Sequence, residues 1–599
     1  MTSKSNKIDA INEHFKLPIH YNSSKIRLKQ NIIDDLEMVK TVDASSNPIY
    51  SFCLDNNSDL SKTIIQQASE YYTTDVSFLK DTQQLLTSYT NLPNKYTTNV
   101  SNDYSKITAI WNDVKGDNGF KEKYYYVDWA MLEFLNKSDT FLQLMSLYNL
   151  ASPVISFLIP IIILIIPFFV IRVKGVSLSM NEYIDVLKTV VSNHAIGKLF
   201  TKFADVSMNE RIYLILSAGF YLFSIYQNVL VCVRFNNNMK KIHAYFDDID
   251  EYLTYTIASM NNYLIYSNSL QSYAAFNETV REKMTILIDY QEKFRSVTAY
   301  KYTNYKKIFE IGHILKTFYE LYEDPTYNDA FMYSFGFNGY LDCVEQLRNN
   351  IQESKMSFAD FIDDNKKAVI KNNYYACLKD EPNVVKNTIK MKKNMIITGP
   401  NASGKTTILK SVLINVILTQ QFGCGFYESA KLKPFKYIHC YLNIPDTSGR
   451  DSLFQAEARR CKEIIDIVDA NTNKEDGHFA IFDELYSGTN PDEAVASATA
   501  FMEYLMKKHN VSCMLTTHFV KVCKRLKTNP NVINCHMDTK MIDDKMKYTY
   551  RLKNGISTVK GGVNILCDLN YPAEIIKSSI LSTFSTFKKG GAKSLEKVD

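Results

Sequence analysis

Three hydrophobic textures run along this chain. Two stretches carry no charge: Pro153 to Ile171, followed by Arg172 and Lys174, and Ile212 to Val233, bracketed by Arg211 and Arg234. At 19 and 22 residues, both are long enough to cross about 30 Å of hydrocarbon. The first predicts a transmembrane helix even with Pro160 and Pro167, which membrane helices tolerate. The second contains Ser217, Ser224, Gln227 and Asn228, so a buried helix of a water-soluble body stays open as its alternative. The next texture is a stripe. Ile242, Phe246, Ile249, Leu253, Ile257, Met260 and Leu264 recur at spacings of three and four, which predicts one long amphipathic helix. Met284 to Leu321 predicts another, Tyr327 to Gly339 reads as a break, and a further helix is expected from Tyr340 to about Ser354. Upstream, Leu60–Tyr72 and Phe78–Tyr89 have helical spacing in a mainly helical N-terminal region. The third texture is short apolar runs, Met395–Thr398, His478–Phe482 and Cys513–Thr516, that predict strands.

These textures divide the chain into five expected regions. They are a helical region at 1–150, a transmembrane hairpin at 151–235 with spans near 153–171 and 212–233, a helical lever or arm at 236–364, a domain of strands and helices at 365–584 and a flexible tail at 585–599. A length of 599 residues is too great for one core and fits roughly three or four domains. With 46% hydrophobic and 22% charged residues, the composition is that of an ordered protein. A net charge of +5 on so long a chain neither demands nor excludes a polyanionic partner. The eleven cysteines include no Cys-x-x-Cys pair, which argues against a zinc ribbon or thioredoxin-type site. Cys424, Cys440 and Cys513 read as small buried hydrophobes in a reducing compartment. The polar first residues are not expected to form a signal peptide.

The chemistry lies in the last third. Gly399-Pro400-Asn401-Ala402-Ser403-Gly404-Lys405-Thr406-Thr407 follows one predicted strand and opens a helix, the context a Walker A loop requires. Glycines let backbone N–H groups turn around phosphate oxygens, and the helix N-terminus adds partial positive charge. Lys405 can reach the β- and γ-phosphates of ATP, and Thr406 can offer its hydroxyl to Mg²⁺. The run His478–Glu484 has the form of a Walker B strand, with Asp483 for Mg²⁺ and Glu484 as the base for water. Cys513–His518 predicts a strand ending in a histidine, and His518 there suits a sensor of the γ-phosphate.

These residues carry a family resemblance. The loop Gly399–Thr406 resembles the P-loop of the MutS mismatch-recognition ATPases, and Gln421-Phe422-Gly423-Cys424 resembles their Gln-x-Gly-Cys/Ser step. Asp446–Glu457 resembles the family's Ser-Gly-Arg-Ser-Thr-Phe-x-x-Glu loop. Asp483–Asn490 resembles its Asp-Glu-Ile-Gly-Arg-Gly-Thr-Ser, and Thr517-His518-Phe519 its Thr-His-Tyr/Phe. Tyr550–Gly555 and Asp568–Ile576 match the closing strand and last helix, so the likeness covers about residues 370–580. It implies an α/β P-loop domain of ABC-like type at the C-terminus, ATP and Mg²⁺ as cofactors, and a dimer in which Ser452 completes the partner's nucleotide site. Three departures stand out. Ala402-Ser403 replaces Met-Gly, Ser487 stands where the family usually has Arg, and no mismatch-reading domain is evident. Phe120-Lys121-Glu122 and Phe318-Tyr319-Glu320 fit the family's Phe-x-Glu triplet, but such triplets are frequent.

The functional expectation is a membrane-tethered MutS-type ATPase, a homodimer whose arms close on mismatched or branched DNA. A membrane-organising or scaffolding ATPase without DNA is the alternative. An ABC-type transporter subunit is a further one, weakened by the absence of Leu-Ser-Gly-Gly-Gln. Positive-inside counting is ambiguous. The loop holds Arg172, Lys174, Lys188, Lys198, Lys202 and Arg211, against Lys137, Arg234, Lys240 and Lys241 outside it. The need for ATP puts the ATPase domain on the cytosolic side of a multi-pass membrane protein.

Overall fold

The computed structural model describes residues 10–55, 58–92, 104–116, 119–175, 179–193, 198–199, 203–296, 309–364, 367–442, 452–542, 545–557, 559, 566 and 571–579. The Asp446–Asp451 part of the signature loop, Asp568–Asn570 and the tail at 585–599 lie outside the described residues.

The chain forms two compact units. One gathers Met1–Ile8, Pro93–Ala258 and Glu282–Met332; the other gathers Asp9–Leu92, Ser259–Arg281 and Tyr333–Asp599. The 1–150 region is thus divided, and residues 9–92 join the unit that holds Gly399–Thr407.

The first unit is helical in its described residues and includes both uncharged stretches. They lie within the helix Asp139–Val173 and the 60-residue helix Met208–Ser267. Protein covers only 22% of an apolar window within Asp139–Leu158, which reaches the start of the first stretch, and 6% of one within Met208–Ser267. Val154, Phe157, Phe169, Phe220, Leu222 and Phe223 are all more than half exposed. The polar side chains of the second stretch turn toward the first. Asn228 Nδ2 donates to Ser156 Oγ (2.5 Å), Tyr221 OH to the Ser156 carbonyl (3.1 Å) and Cys232 Sγ to the Leu150 carbonyl (3.8 Å). Met284–Leu321 is two helices rather than one, ending at Arg295 and resuming at Ile311. Both Phe-x-Glu phenylalanines are core residues: Phe120 is 1% exposed, Phe318 0%, and Phe120 stacks on Tyr322 at 4.0 Å.

The strands of the second unit are, in order, β1 Lys25–Arg27, β2 Tyr71–Thr73, β3 Ser357–Phe361, β4 Val369–Asn373, β5 Asn387–Lys390, β6 Asn394–Thr398, β7 Cys424–Gly425, β8 Ser429–Leu432, β9 Tyr437–Tyr441, β10 His478–Asp483, β11 Val511–Thr516, β12 Val532–Ile542 and β13 Lys545–Asn554. A six-stranded sheet runs β13-β12-β6-β11-β10-β9 and a five-stranded one β5-β4-β8-β3-β7. Strands β9, β10, β11, β6 and β12 are mutually parallel, and β13 closes the edge as an antiparallel hairpin with β12. Every residue of β6 is buried, as expected for a parallel strand covered on both faces.

Residues 9–92 wrap this unit. Helix Asp59–Ala68 ends before Tyr72, because Tyr71–Thr73 pairs with β1 instead of continuing it. The expected break at Tyr327–Gly339 is absent, since one helix runs from Pro325 to Gln352. Its glycines serve close packing. A Cβ on Gly336 would lie 2.3 Å from Phe15 Cβ, and one on Gly339 would lie 2.5 Å from the Leu60 carbonyl oxygen. Read locally, the same glycines look like helix breakers.

Candidate functional site

The site forms where β6, β10 and β11 end together, the crevice at the carboxyl ends of parallel strands where α/β sheets bind ligands. Buried β6 delivers the chain to Gly399, and the loop returns as the helix Lys405–Phe422. Gly404 begins that helix at φ 89°, with the ring of Tyr550 3.2 Å from where its Cβ would be. A side chain there would meet both strain and the ring. Ala402 also takes a left-handed conformation, at φ 60°, where an L-residue costs about 1–2 kcal/mol. The first N–H groups of the helix have no intrahelical carbonyl to bond, as at any helix start.

Lys405 is 5% exposed, and its ammonium donates to the carbonyls of Gly399 and Pro400 (3.2 Å each). Burial holds its pKa below the ordinary lysine value, while Glu484 and Asp483 push it back up. A buried cation flanked by helix N–H groups suits an anionic ligand.

Asp483 ends β10 between two hydroxyls. Thr406 donates to Oδ2 (2.7 Å) and Thr516 to Oδ1. Register explains Thr516, which lies directly opposite Asp483 across the β10–β11 ladder. Glu484 follows at φ 52°, its N–H bonded to the Thr516 carbonyl (3.0 Å). Its Oε1 lies 2.7 Å from His518 Nε2 and 3.8 Å from Lys405 Nζ. His518 Nε2–H donates to Glu484, so Lys405, 3.3 Å from that nitrogen, gives its protons to the loop carbonyls instead. The His518 hydrogen bond, foremost, holds Glu484 below the usual carboxylate range, and Lys405 adds to this against the opposing effect of burial.

The loop opens into a cleft of about 800 Å³. Its walls include Tyr375, Cys377, Val384 and Tyr550 as well as Asn401, Thr406, Thr407 and Glu484. The cleft has room for a planar heterocycle between aromatic and aliphatic walls, with its charged end at Lys405. Tyr375, Tyr550 and Thr516 were invisible to motif reading. Tyr375 belongs to no recognisable pattern, Tyr550 was read only as the start of a closing strand, and Thr516 could have been found by strand register.

Ser452 is exposed and caps its own helix, Leu453–Ala470. Its Oγ accepts from Gln455 N–H (3.3 Å), and Gln455 Oε1 accepts from Ser452 N–H (2.9 Å), a reciprocal capping box. One turn on, Glu457 is 2% exposed and accepts from Ser487 N–H (3.1 Å), Ser487 Oγ (3.1 Å) and Gly488 N–H (3.2 Å). Ser487, where the resemblance leads one to expect Arg, therefore ties the segment after Glu484 to the helix that Ser452 begins.

Lys405, Thr406, Asp483, Glu484 and His518 thus meet in one connected cluster, whereas Ser452 is engaged at its own helix end. The donor set fits a magnesium nucleotide: a buried ammonium, a helix N-terminus, a hydroxyl–carboxylate pair and a heterocycle-sized cleft. Among the described residues, no group of three or more His, Cys, Asp or Glu could hold a metal alone.

A family model, MutS domain V, matches residues 395–584. Similar proteins include DNA mismatch repair protein MutS of Persephonella marina, 27% identical over 40% of this chain and 27% of the relative. Endonuclease MutS2 of Lactococcus lactis subsp. cremoris is 30% identical over 46% of this chain and 35% of the relative. DNA mismatch repair protein spellchecker 1 of Drosophila melanogaster is 26% identical over 34% and 22%. The chain spans roughly a quarter to a third of these relatives. Residues 395–584 thus match MutS domain V, and it is through this domain that the chain is similar to MutS and MutS2 proteins.

Proposed function

We propose that the chain is a magnesium-dependent ATPase of MutS type, acting on DNA as a homodimer while two helices hold it in a membrane. The observation that carries this reading is the convergence of Lys405, Thr406, Asp483, Glu484 and His518 at the mouth of the P-loop. Lys405 and the helix N-terminus neutralise phosphate charge, and Tyr550 and Tyr375 flank the base. Thr406 and Asp483 hold Mg²⁺, which supplies charge stabilisation at the transferring phosphoryl group. Glu484 takes the proton of the attacking water, and His518 orients that carboxylate. Exposed at its helix N-terminus, Ser452 is available to a partner's nucleotide in a dimer.

DNA as substrate is supported by the names of the relatives. The membrane is supported by the uncovered apolar helices and by the inward-turned Asn228, Tyr221 and Cys232. ATP then requires the sheet unit to be cytosolic. A second reading, a membrane ATPase that does not read DNA, is favoured by the burial of Phe120 and Phe318, which are not free to stack on a base.

The test is the ATPase rate of the detergent-solubilised protein alone and with homoduplex, mismatched and branched DNA, at low and moderate salt. Lys405→Ala should abolish nucleotide binding. Glu484→Ala should bind ATP yet hydrolyse it at least about a hundredfold more slowly. A rate altered by one DNA class, more strongly at low salt, supports the DNA reading. Indifference to every DNA supports the second.

A further inference from the structure

The helical unit carries an apolar feature outside both spans. Between Val127 and Asn136 the chain forms a closed loop. Asn136, fully buried, accepts from Val127 N–H and donates to the Val127 carbonyl, both at 2.8 Å. Internal bonds from Leu132 N–H to the Trp129 carbonyl (2.8 Å) and from Leu135 N–H to the Leu132 carbonyl (3.0 Å) stiffen it. So braced, the loop exposes Trp129 (72%), Met131 (82%) and Phe134 (66%). The carboxylates beside them, Asp128 and Glu133, both pair with Lys121. Three large apolar side chains held outward on a rigid loop mark a contact surface.

The depth of the loop can be read from its neighbours. The second uncharged stretch ends at Val233, and Cys232 faces Leu150, three residues before the first stretch on the helix Asp139–Val173. The Tyr125 ring lies 6.1 Å from that of Phe235, and Asn238 Nδ2 donates to the Lys123 carbonyl (2.6 Å). The base of the loop therefore sits within about one or two helical turns, at 5.4 Å each, of the end of the span. Leu144 (67% exposed) and Tyr148 (61%) continue the apolar surface along the adjoining helix to the first span.

We propose that Trp129, Met131 and Phe134 form an interfacial anchor, inserted among lipid headgroups at the end of the hairpin where Leu150 meets Cys232. The occupant is the bilayer surface, because the patch is continuous with the span helices and lies at the depth where membrane proteins concentrate tryptophan. The proposal rests on the two-span reading and adds a contact that the spans alone do not require.

The sequence contains only two tryptophans, and Trp111 is 2% exposed. Trp111→Phe makes Trp129 the sole indole emitter. Should loss of the Trp111–Phe331 stack prevent folding, subtraction of the Trp129→Phe spectrum from wild type isolates the same signal. Full-length protein is reconstituted in phosphatidylcholine vesicles brominated near the carbonyl end or near the methyl end of the acyl chain. The expected result is that carbonyl-end bromine removes most of the Trp129 emission, methyl-end bromine removes less, and acrylamide has little effect. Protein that floats with the vesicles and resists alkaline extraction, yet keeps its emission in brominated lipid and is freely quenched by acrylamide, overturns the anchor and leaves the spans. Shielding from acrylamide without bromine quenching places a second copy of the chain on the loop and also overturns it. Failure to float removes the two-span reading and the anchor with it.

Discussion

Glu484 and His518 share one hydrogen bond, and that bond sets the ionisation of the proposed general base. With His518 as donor, the Glu484 carboxyl lies below its ordinary range. Removing the donor should let it rise. In His518→Ala, the acidic limb of the ATPase pH profile is therefore expected to move to higher pH, with nucleotide affinity changed less than turnover. An unmoved limb would separate His518 from the ionisation of Glu484. At this scale the sequence was highly legible, because the P-loop and the Asp483-Glu484 pair are contiguous words whose chemistry depends on order. The pairing of Thr516 with Asp483 and of Glu457 with Ser487 was not, since each joins residues tens of positions apart.

The helix Lys405–Phe422 is the element with most at stake. Its N-terminus carries Lys405, while its C-terminal turn is held by the N-terminal segment. Gln421 accepts from Tyr50 OH (2.6 Å) and donates to the carbonyls of Ala68 (2.8 Å) and Tyr71 (2.9 Å). Gln420 donates to the Thr73 (3.2 Å) and Phe435 (2.8 Å) carbonyls, and Gln83 Nε2 to those of Gly423 (2.7 Å) and Ala359 (2.8 Å). Gln421→Ala would leave a buried hydroxyl and two carbonyls unpaired, at an expected cost of about 3 kcal/mol, measurable as a lower urea midpoint. Glutamine at 420 and 421 looks like the polar side of an exposed helix. Only the fold, with partners some 350 residues upstream, makes it a clamp. The same distance hid the role of Gly336 and Gly339, whose packing partners Phe15 and Leu60 no local pattern could supply.

In the sheet unit as a whole, buried titratable groups predict an acid-sensitive fold. His478 Nε2–H donates to the Asn471 carbonyl (3.1 Å), so its bare Nδ1 accepts from His439 Nε2–H (3.0 Å). His439 Nδ1 is left buried without a partner. Burial, foremost, pulls His439 down to about 3 and His20 to about 4, and lowers His478. The unfolded chain takes up these protons first, so the stability they confer is full above 6.5 and is lost as pH falls toward the folded values. Asp35 opposes them. Burial raises it from 3.8 to about 6, so acidification through that window favours the fold. Three histidines against one carboxyl still give a net loss. Between pH 6 and 4, the melting temperature should fall, with up to about 1.4 kcal/mol per pH unit from His439 alone. A flat profile, or one unchanged in His439→Gln, would contradict this. The cleft beside the P-loop has a different consequence. Cys377 stands in its wall, and burial raises its thiol pKa, so it is sluggish toward soluble reagents. A weak electrophile carried on an adenine-like scaffold would be delivered to that sulfur at high local concentration. The proposed nucleotide pocket would therefore contain its own attachment point for a covalent inhibitor.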